Sequence, residues 1–242
     1  MSGNGRDWYL VNVSPDIRAQ LLARPELTPG PGPRQTPIRG ALLTDAELDH
    51  TAGLLTLRDG ADFQVWAPVA VLRALAGTRA VLDCYHRWSW TPVDGEFAFG
   101  GLRCEMSGVH DKPPRYAEPG PGPWAVAYRI TDPATGGVLV YAPCLREWPD
   151  GFDEFVTGAT DVLLDGTFYA AEEMAVETGE RGQRRMGHLP ITASLPRLRP
   201  GIRWHYTHLN NTNPLLDAGA AEWSSVRAAG ADVLADGAVF VR

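Results

Sequence analysis

The stretch "LLTDAELDHTAGLL", residues 42–55, sets Asp45 and Asp49 four positions apart with His50 directly after, at the exit of an apolar run. Carboxylates and imidazoles are oxygen and nitrogen donors for divalent metals, and a strand end can fix them while leaving them open to a cleft. The same residues also suit a polar first helical turn, where the helix dipole favours carboxylates. Four more candidates lie further on. Asp165 ends the apolar run "DVLLD", although Asp-Gly is also a common turn pair. His110 follows a strand-like segment in "SGVHDKPPRY", and His205 and His208 lie in "IRWHYTH" before the Asn-rich "LNNTNP". Side chains alternate on a strand, so His205 and His208 face opposite ways and only one can join a given site. His208, at the strand end, is the better candidate, and His205 reads as packed or hydrogen-bonded. His86 and His188 carry less signal from chemistry alone. Asp45, Asp49, His50, His110, Asp165 and His208 together offer carboxylates and imidazoles suited to Zn, Fe(II) or Mn, unlike an all-thiolate structural zinc site. Two histidines and one carboxylate with open positions form the pattern of non-haem Fe(II) oxygenases.

Other chemistries find no support. The chain has no G-x-S-x-G nucleophile elbow. It has no P-loop or dinucleotide fingerprint, and the glycines at 30, 32, 120 and 122 alternate with prolines in loops. Arg181, Arg184 and Arg185 could hold a carboxylate substrate, but a solvated loop is the more ordinary reading.

The elements that must position these residues alternate between strand and helix. "DWYLVNV" reads as a strand running into a helix over Pro15–Ala23, with Ser14 as N-cap and Pro15 in the first turn. "IRGALLT" reads as a buried strand, and "HTAGLLTLRDG" as a helix with Leu54, Leu55 and Leu57 facing inward. "DFQVWAP" and "VAVLRALAG" make a further strand and helix. "EFAF", "GLRCEMS", "WAVAYRIT" and "GVLVYA" are strands, the last two joined by a turn over Asp132–Gly137. "FDEFVTGA" is a short helix before the strand "DVLLDG". "AEWSSVRAAG" is a helix, and "ADVLA" and "AVFV" close the chain as strands. The polar candidates fall at strand ends, where α/β folds place their sites. The expectation is one α/β domain over residues 1–242 with mixed sheets and no internal repeat.

The 242 residues are 44% hydrophobic, enough for a sizeable core, with 22 Lys plus Arg against 29 Asp plus Glu for a net charge of −7. That balance argues against a general nucleic-acid or anionic-membrane binder. "MSGNGRDWYL" does not read as a signal peptide, and no stretch approaches the ~18 apolar residues of a membrane span. Cys84, Cys104 and Cys144 are odd in number and form no C-x-x-C, which fits a reduced, cytoplasmic protein.

Several stretches also match a known family. "WYLVNVSPDIRAQL", "TPIRGALLTDAELDHTAGLLTLRDG", "LLDGTFY", "MGHLPI" and "HLNNTNPLL", in this order, resemble the PqqB family of pyrroloquinoline quinone biosynthesis, a branch of the metallo-β-lactamase fold superfamily. The superfamily marks its metal site with T-H-x-H-x-D-H, and the matching frame here is Thr44-Asp45-Ala46-Glu47-Leu48-Asp49-His50. The resemblance implies a four-layer αββα sandwich, with the site at strand ends between two sheets. It places Asp45, Asp49, His50, Asp165 and His208 around a metal and His188 in the substrate pocket. With Asp45 and Glu47 where two histidines belong, a symmetric two-zinc centre is disfavoured and one well-held metal is expected, Fe(II) first and Zn as the alternative. Members usually begin with a strand, a Gly-rich turn and a cysteine-rich zinc-binding stretch. This chain starts after all three, so its fold is expected to lack the family's first strand. Where the family has V-P-G-K, this chain has Val109-His110-Asp111-Lys112, and His110 could restore a second-metal ligand.

The resemblance implies an iron- and oxygen-dependent hydroxylase acting on a tyrosine-derived or Glu-Tyr-like peptide intermediate, with the small substrate and O2 as partners. Asp45, Asp49, His50, His188 and His208 would carry the chemistry. Two other classes remain open: a zinc hydrolase of an ester, thioester or phosphodiester, and a non-catalytic carrier of a quinone or peptide. The sequence leaves the oligomeric state open.

Overall fold

The apolar segments read from the sequence are strands in a computed structural model, which describes residues 1–30, 32, 35–60, 62–173 and 186–241. Arg181, Arg184 and Arg185 lie outside the described residues. The chain divides into two compact units, Met1–Val126 and Ala127–Arg242.

In the first unit, β1 (Trp8–Val11), β2 (Ile38–Leu42), β3 (Gln64–Ala67) and β4 (Ser89–Pro92) form a parallel sheet in that order. Parallel strands are covered on both faces, which is why "IRGAL" and "QVWA" are nearly continuous apolar runs. Three crossovers carry the helices: α1 (Ile17–Leu22), α2 (Leu48–Thr51), and the pair α3 (Val69–Ala74) and α4 (Ala76–Leu82). Val13, Ile17, Leu43, Leu54, Val65, Val71, Leu75 and Trp88 share one buried cluster. β5 (Glu96–Phe99) and β6 (Leu102–His110) pair antiparallel. Their two-residue loop is Gly100-Gly101, with φ of 55° and 80°, the left-handed pair that a tight hairpin turn requires.

The second unit holds β7 (Ala125–Thr131, which begins at the boundary), β8 (Val138–Ala142), β9 (Asp161–Asp165), β10 (Arg203–Thr207) and β11 (Ala231–Val233), ordered β11-β10-β9-β8-β7. β7 and β8 are antiparallel and the other pairs parallel, so this sheet is mixed. The β7–β8 turn closes with Asp132 N–H donating to Gly137 O at 2.9 Å. Among the described residues its α-helices are α5 (Phe152–Phe155), α6 (Ile191–Ser194) and α7 (Trp223–Ala228). Among the described residues no helix is long and apolar enough to cross a membrane.

The α/β class with parallel and antiparallel strands is as expected; three local readings need correction and one strand was missed. The first helix starts at Ile17, and Ser14 Oγ does not cap it but accepts from Asp16 N at 3.2 Å, closing a local turn. The helix expected in "HTAGLLTLRDG" is α2 followed by a 3₁₀ turn over Ala52–Leu57. At three residues per turn, Leu54 and Leu57 share a face while Leu55 turns outward and is 43% exposed. β4 gave no sequence signal, being two half-buried residues between exposed Ser89 and Pro92. "AVFV" forms no strand; Val239, Phe240 and Val241 are exposed.

Candidate functional site

Each unit gathers its own constellation. In the first, the chain leaves β1 through Asn12, whose φ of 58° is left-handed. Its side chain bridges to the end of β2: Thr44 N–H donates to Asn12 Oδ1 and Asn12 Nδ2 donates to Thr44 Oγ1, both at 2.9 Å. Asp45 follows and is buried. Its carboxylate accepts from Thr44 Oγ1 at 2.6 Å and Glu47 N–H at 3.0 Å, and both its oxygens face His50 Nδ1, at 2.9 and 2.8 Å. The main chain of His50 is fixed as well, its carbonyl accepting from Val13 N–H at 2.6 Å. Gly53 completes this corner, because a Cβ there would stand 2.1 Å from Ser14 O.

Burial alone would raise the pKa of Asp45. The His50 charge and the bonds from His50, Thr44 and the Glu47 N–H outweigh it and bring the value to about 2. Burial likewise works against the charged form of His50. The Asp45 charge and hydrogen bond, with Asp49 and Glu47 adding, overcome it and hold His50 above the usual histidine range. Asp49 is 60% exposed at the side chain, with Oδ2 4.0 Å from His50 Nε2. His110 ends β6, and its Nδ1 accepts from Lys112 N–H at 3.3 Å. Among the described residues His110 joins no group of three side chains spaced to hold a metal.

In the second unit, Asp165 is the last residue of β9 and is buried. Oδ1 accepts from the Thr167 N–H at 3.0 Å and the Thr167 hydroxyl at 2.7 Å. Oδ2 accepts from Leu145 N–H at 2.8 Å and lies 2.8 Å from His188 Nδ1. Thr167 Oγ1 also meets His188 Nδ1 at 3.0 Å and His208 Nδ1 at 2.8 Å. The two imidazoles stack, with centroids 5.5 Å apart. His208 follows β10 directly and has φ of 62°, a left-handed position for a residue with a Cβ. Its loop is pinned by Asn213, buried, which donates to Gly166 O at 2.7 Å and accepts from Leu215 N–H at 3.0 Å. Gly166 itself admits no Cβ, which would fall 2.7 Å from Thr207 O.

Asp165, His188 and His208 each offer one donor atom within 4.8 Å of the others. Two imidazoles and a carboxylate at that spacing suit a divalent first-row ion, so the donor set fits a metal. His205 lies apart from this group, at 3.2 Å from Asp161 Oδ1 and edge-on to Phe240, in keeping with strand alternation. Of the residues singled out from sequence, Asp45 joins His50, and Asp165 joins His208 through Thr167. His188, which carried little chemical signal of its own, sits in contact with both. Thr44, Thr167, Asn12 and Asn213 were not anticipated. The nearest signal was a threonine directly before Asp45 and another two residues after Asp165.

Comparison with known proteins defines the class. A β-lactamase superfamily domain matches residues 7–200. Zn(2+)-bound PqqB from Methylobacterium extorquens superposes with a TM-score of 0.87 at 32% identity, covering 98% of this chain and 84% of that one. A diphosphatase of the PhnP family, at 16% identity and a TM-score of 0.66 over 96% of this chain and 79% of its own, shares the fold. Coenzyme PQQ synthesis protein B of Pseudomonas aeruginosa strain UCBPP-PA14 is 35% identical over 257 aligned residues, 98% of this chain and 84% of its own. That of Azotobacter vinelandii is 33% identical over 255, with the same coverage. The chain belongs to the PqqB family of metallo-β-lactamase fold proteins.

Proposed function

We propose that this protein is a metal-dependent enzyme of quinone-cofactor or related peptide-derived biosynthesis, hydroxylating a tyrosine-derived intermediate with O2. The observation that carries the reading is the group Asp165, His188 and His208, two histidines and one carboxylate, brought together from two strand ends and the loop before α6. The relatives named for coenzyme PQQ synthesis, spanning 98% of the chain, supply the biosynthetic context. His188 and His208, with Asp165 as the carboxylate of the set, would hold the ion. A bound Fe(II) supplies O2 chemistry at such a site, which side chains alone do not provide. The protein's own part is to hold these donors in place and exclude side reactions. In the first unit, Asp45 orients: it takes the Nδ1 face of His50, so that Nε2 is the nitrogen turned toward Asp49.

The test is anaerobic loading of the full chain with Fe(II), followed by O2, ascorbate as a two-electron reductant and a tyrosine-containing dipeptide, read by mass spectrometry. One oxygen atom enters the ring and the other, with the reductant's two electrons, leaves as water. The expected product is heavier by one oxygen atom and is lost in His188→Ala and His208→Ala. Equal turnover without O2 would overturn the oxygenase. A zinc hydrolase is the second reading, favoured because the Methylobacterium relative is zinc-bound. It predicts oxygen-independent cleavage of an ester, thioester or phosphodiester by the zinc-loaded chain.

A further inference from the structure

The Thr167 hydroxyl stands among three acceptors or donors but owns a single proton. Its contacts are Asp165 Oδ1 at 2.7 Å, His208 Nδ1 at 2.8 Å and His188 Nδ1 at 3.0 Å. A carboxylate oxygen can only accept, so the proton goes to Asp165. Toward both imidazoles the oxygen then acts as acceptor. His208 Nδ1 must therefore carry its proton, and so must His188 Nδ1, which lies between Thr167 Oγ1 and Asp165 Oδ2 at 2.8 Å. A neutral imidazole with its proton on Nδ1 has its lone pair on Nε2.

We infer that Thr167 is a positioning residue, fixing the tautomer and aim of His208 so that it presents Nε2 to a metal. This rests on the reading of Asp165, His188 and His208 as the metal-holding set. The placement of Thr167 follows from the chain: its N–H and its hydroxyl both return to Asp165 Oδ1, locking the turn that leaves β9. Its carbonyl accepts from Asn210 N–H at 3.0 Å, tying the same turn to the loop that carries His208. A left-handed His208 is helped by such restraint, because that conformation is uncommon for a residue with a Cβ.

The experiment compares wild type, Thr167→Ser, which keeps the hydroxyl, and Thr167→Val, which keeps the shape and loses it. Long-range ¹H–¹⁵N spectra of the metal-free full chain report which nitrogen of each histidine is protonated. Zn(II) competition against a chromophoric chelator reports affinity without any turnover. In wild type, His208 is expected to show protonated Nδ1 and unprotonated Nε2. Thr167→Val should lose that single tautomer and weaken Zn(II) binding by about 10- to 100-fold, with Thr167→Ser restoring most of both. Protonated Nε2 on His208 in wild type would overturn the inference, whether or not any variant folds. So would wild-type affinity and tautomer in a folded Thr167→Val chain. Absence of hydroxylation with the expected tautomers would count against the oxygenase and leave Thr167's role standing.

Discussion

At the residue scale, the substitution of acidic residues into a histidine-rich motif has a structural consequence. Asp45 occupies the place of the first motif histidine, yet its oxygens are taken up by His50, Thr44 and Glu47. Its value of about 2 lies below the ordinary 3.8, so its contribution to stability is present above pH 3.8 and lost as pH falls toward 2. His50, raised above 6.5, contributes below that pH and loses its contribution as pH climbs through its folded value. Stabilisation by the pair, about 2 kcal/mol on the carboxylate's shift, is therefore fullest between pH 4 and 6.5. Urea midpoints of the metal-free chain across pH 2.5 to 8 should show both limbs in wild type and a flattened acid limb in Asp45→Asn. Identical acid slopes would show that the pair is not linked to folding. The candidate residues were legible from type and spacing. That Asp45 serves His50 was not, because a contact between positions five apart depends on the turn geometry between them.

At the element scale, the strands were the most legible part of the chain, since burial on both faces writes itself as the apolar runs "IRGAL" and "DVLLD". Short and irregular elements were not. The "LNNTNP" turn shows why: its meaning lies in Asn213 reaching back to Gly166, a contact 47 residues away. Asn213→Ala removes a buried bond to a carbonyl and the cap on Leu215, and should cost about 1–3 kcal/mol in thermal or urea unfolding. Because the same loop carries His208, metal affinity should fall with it. Gly53→Ala should destabilise without touching the second unit's donors, since its Cβ would meet Ser14 O at 2.1 Å. Unchanged unfolding in Asn213→Ala would mean that the loop is held by other contacts.

At the scale of the molecule, the family match covers 98% of the chain, and Asp165 and His208 stand at strand ends as local pattern suggested. Binding to the folded state alone stabilises by mass action, so metal at 100 times its Kd should add about 2.7 kcal/mol and raise the wild-type melting temperature. The His188→Ala and His208→Ala chains should show little of that rise at the same metal concentration. The most direct measurement is metal content per chain by mass spectrometry, on untagged protein prepared anaerobically, for wild type, Asp165→Asn and His208→Ala. The account predicts about one iron per wild-type chain and loss of it in both variants. Wild-type protein without metal, or variants that keep their metal, would contradict the assignment of Asp165, His188 and His208 as the metal centre.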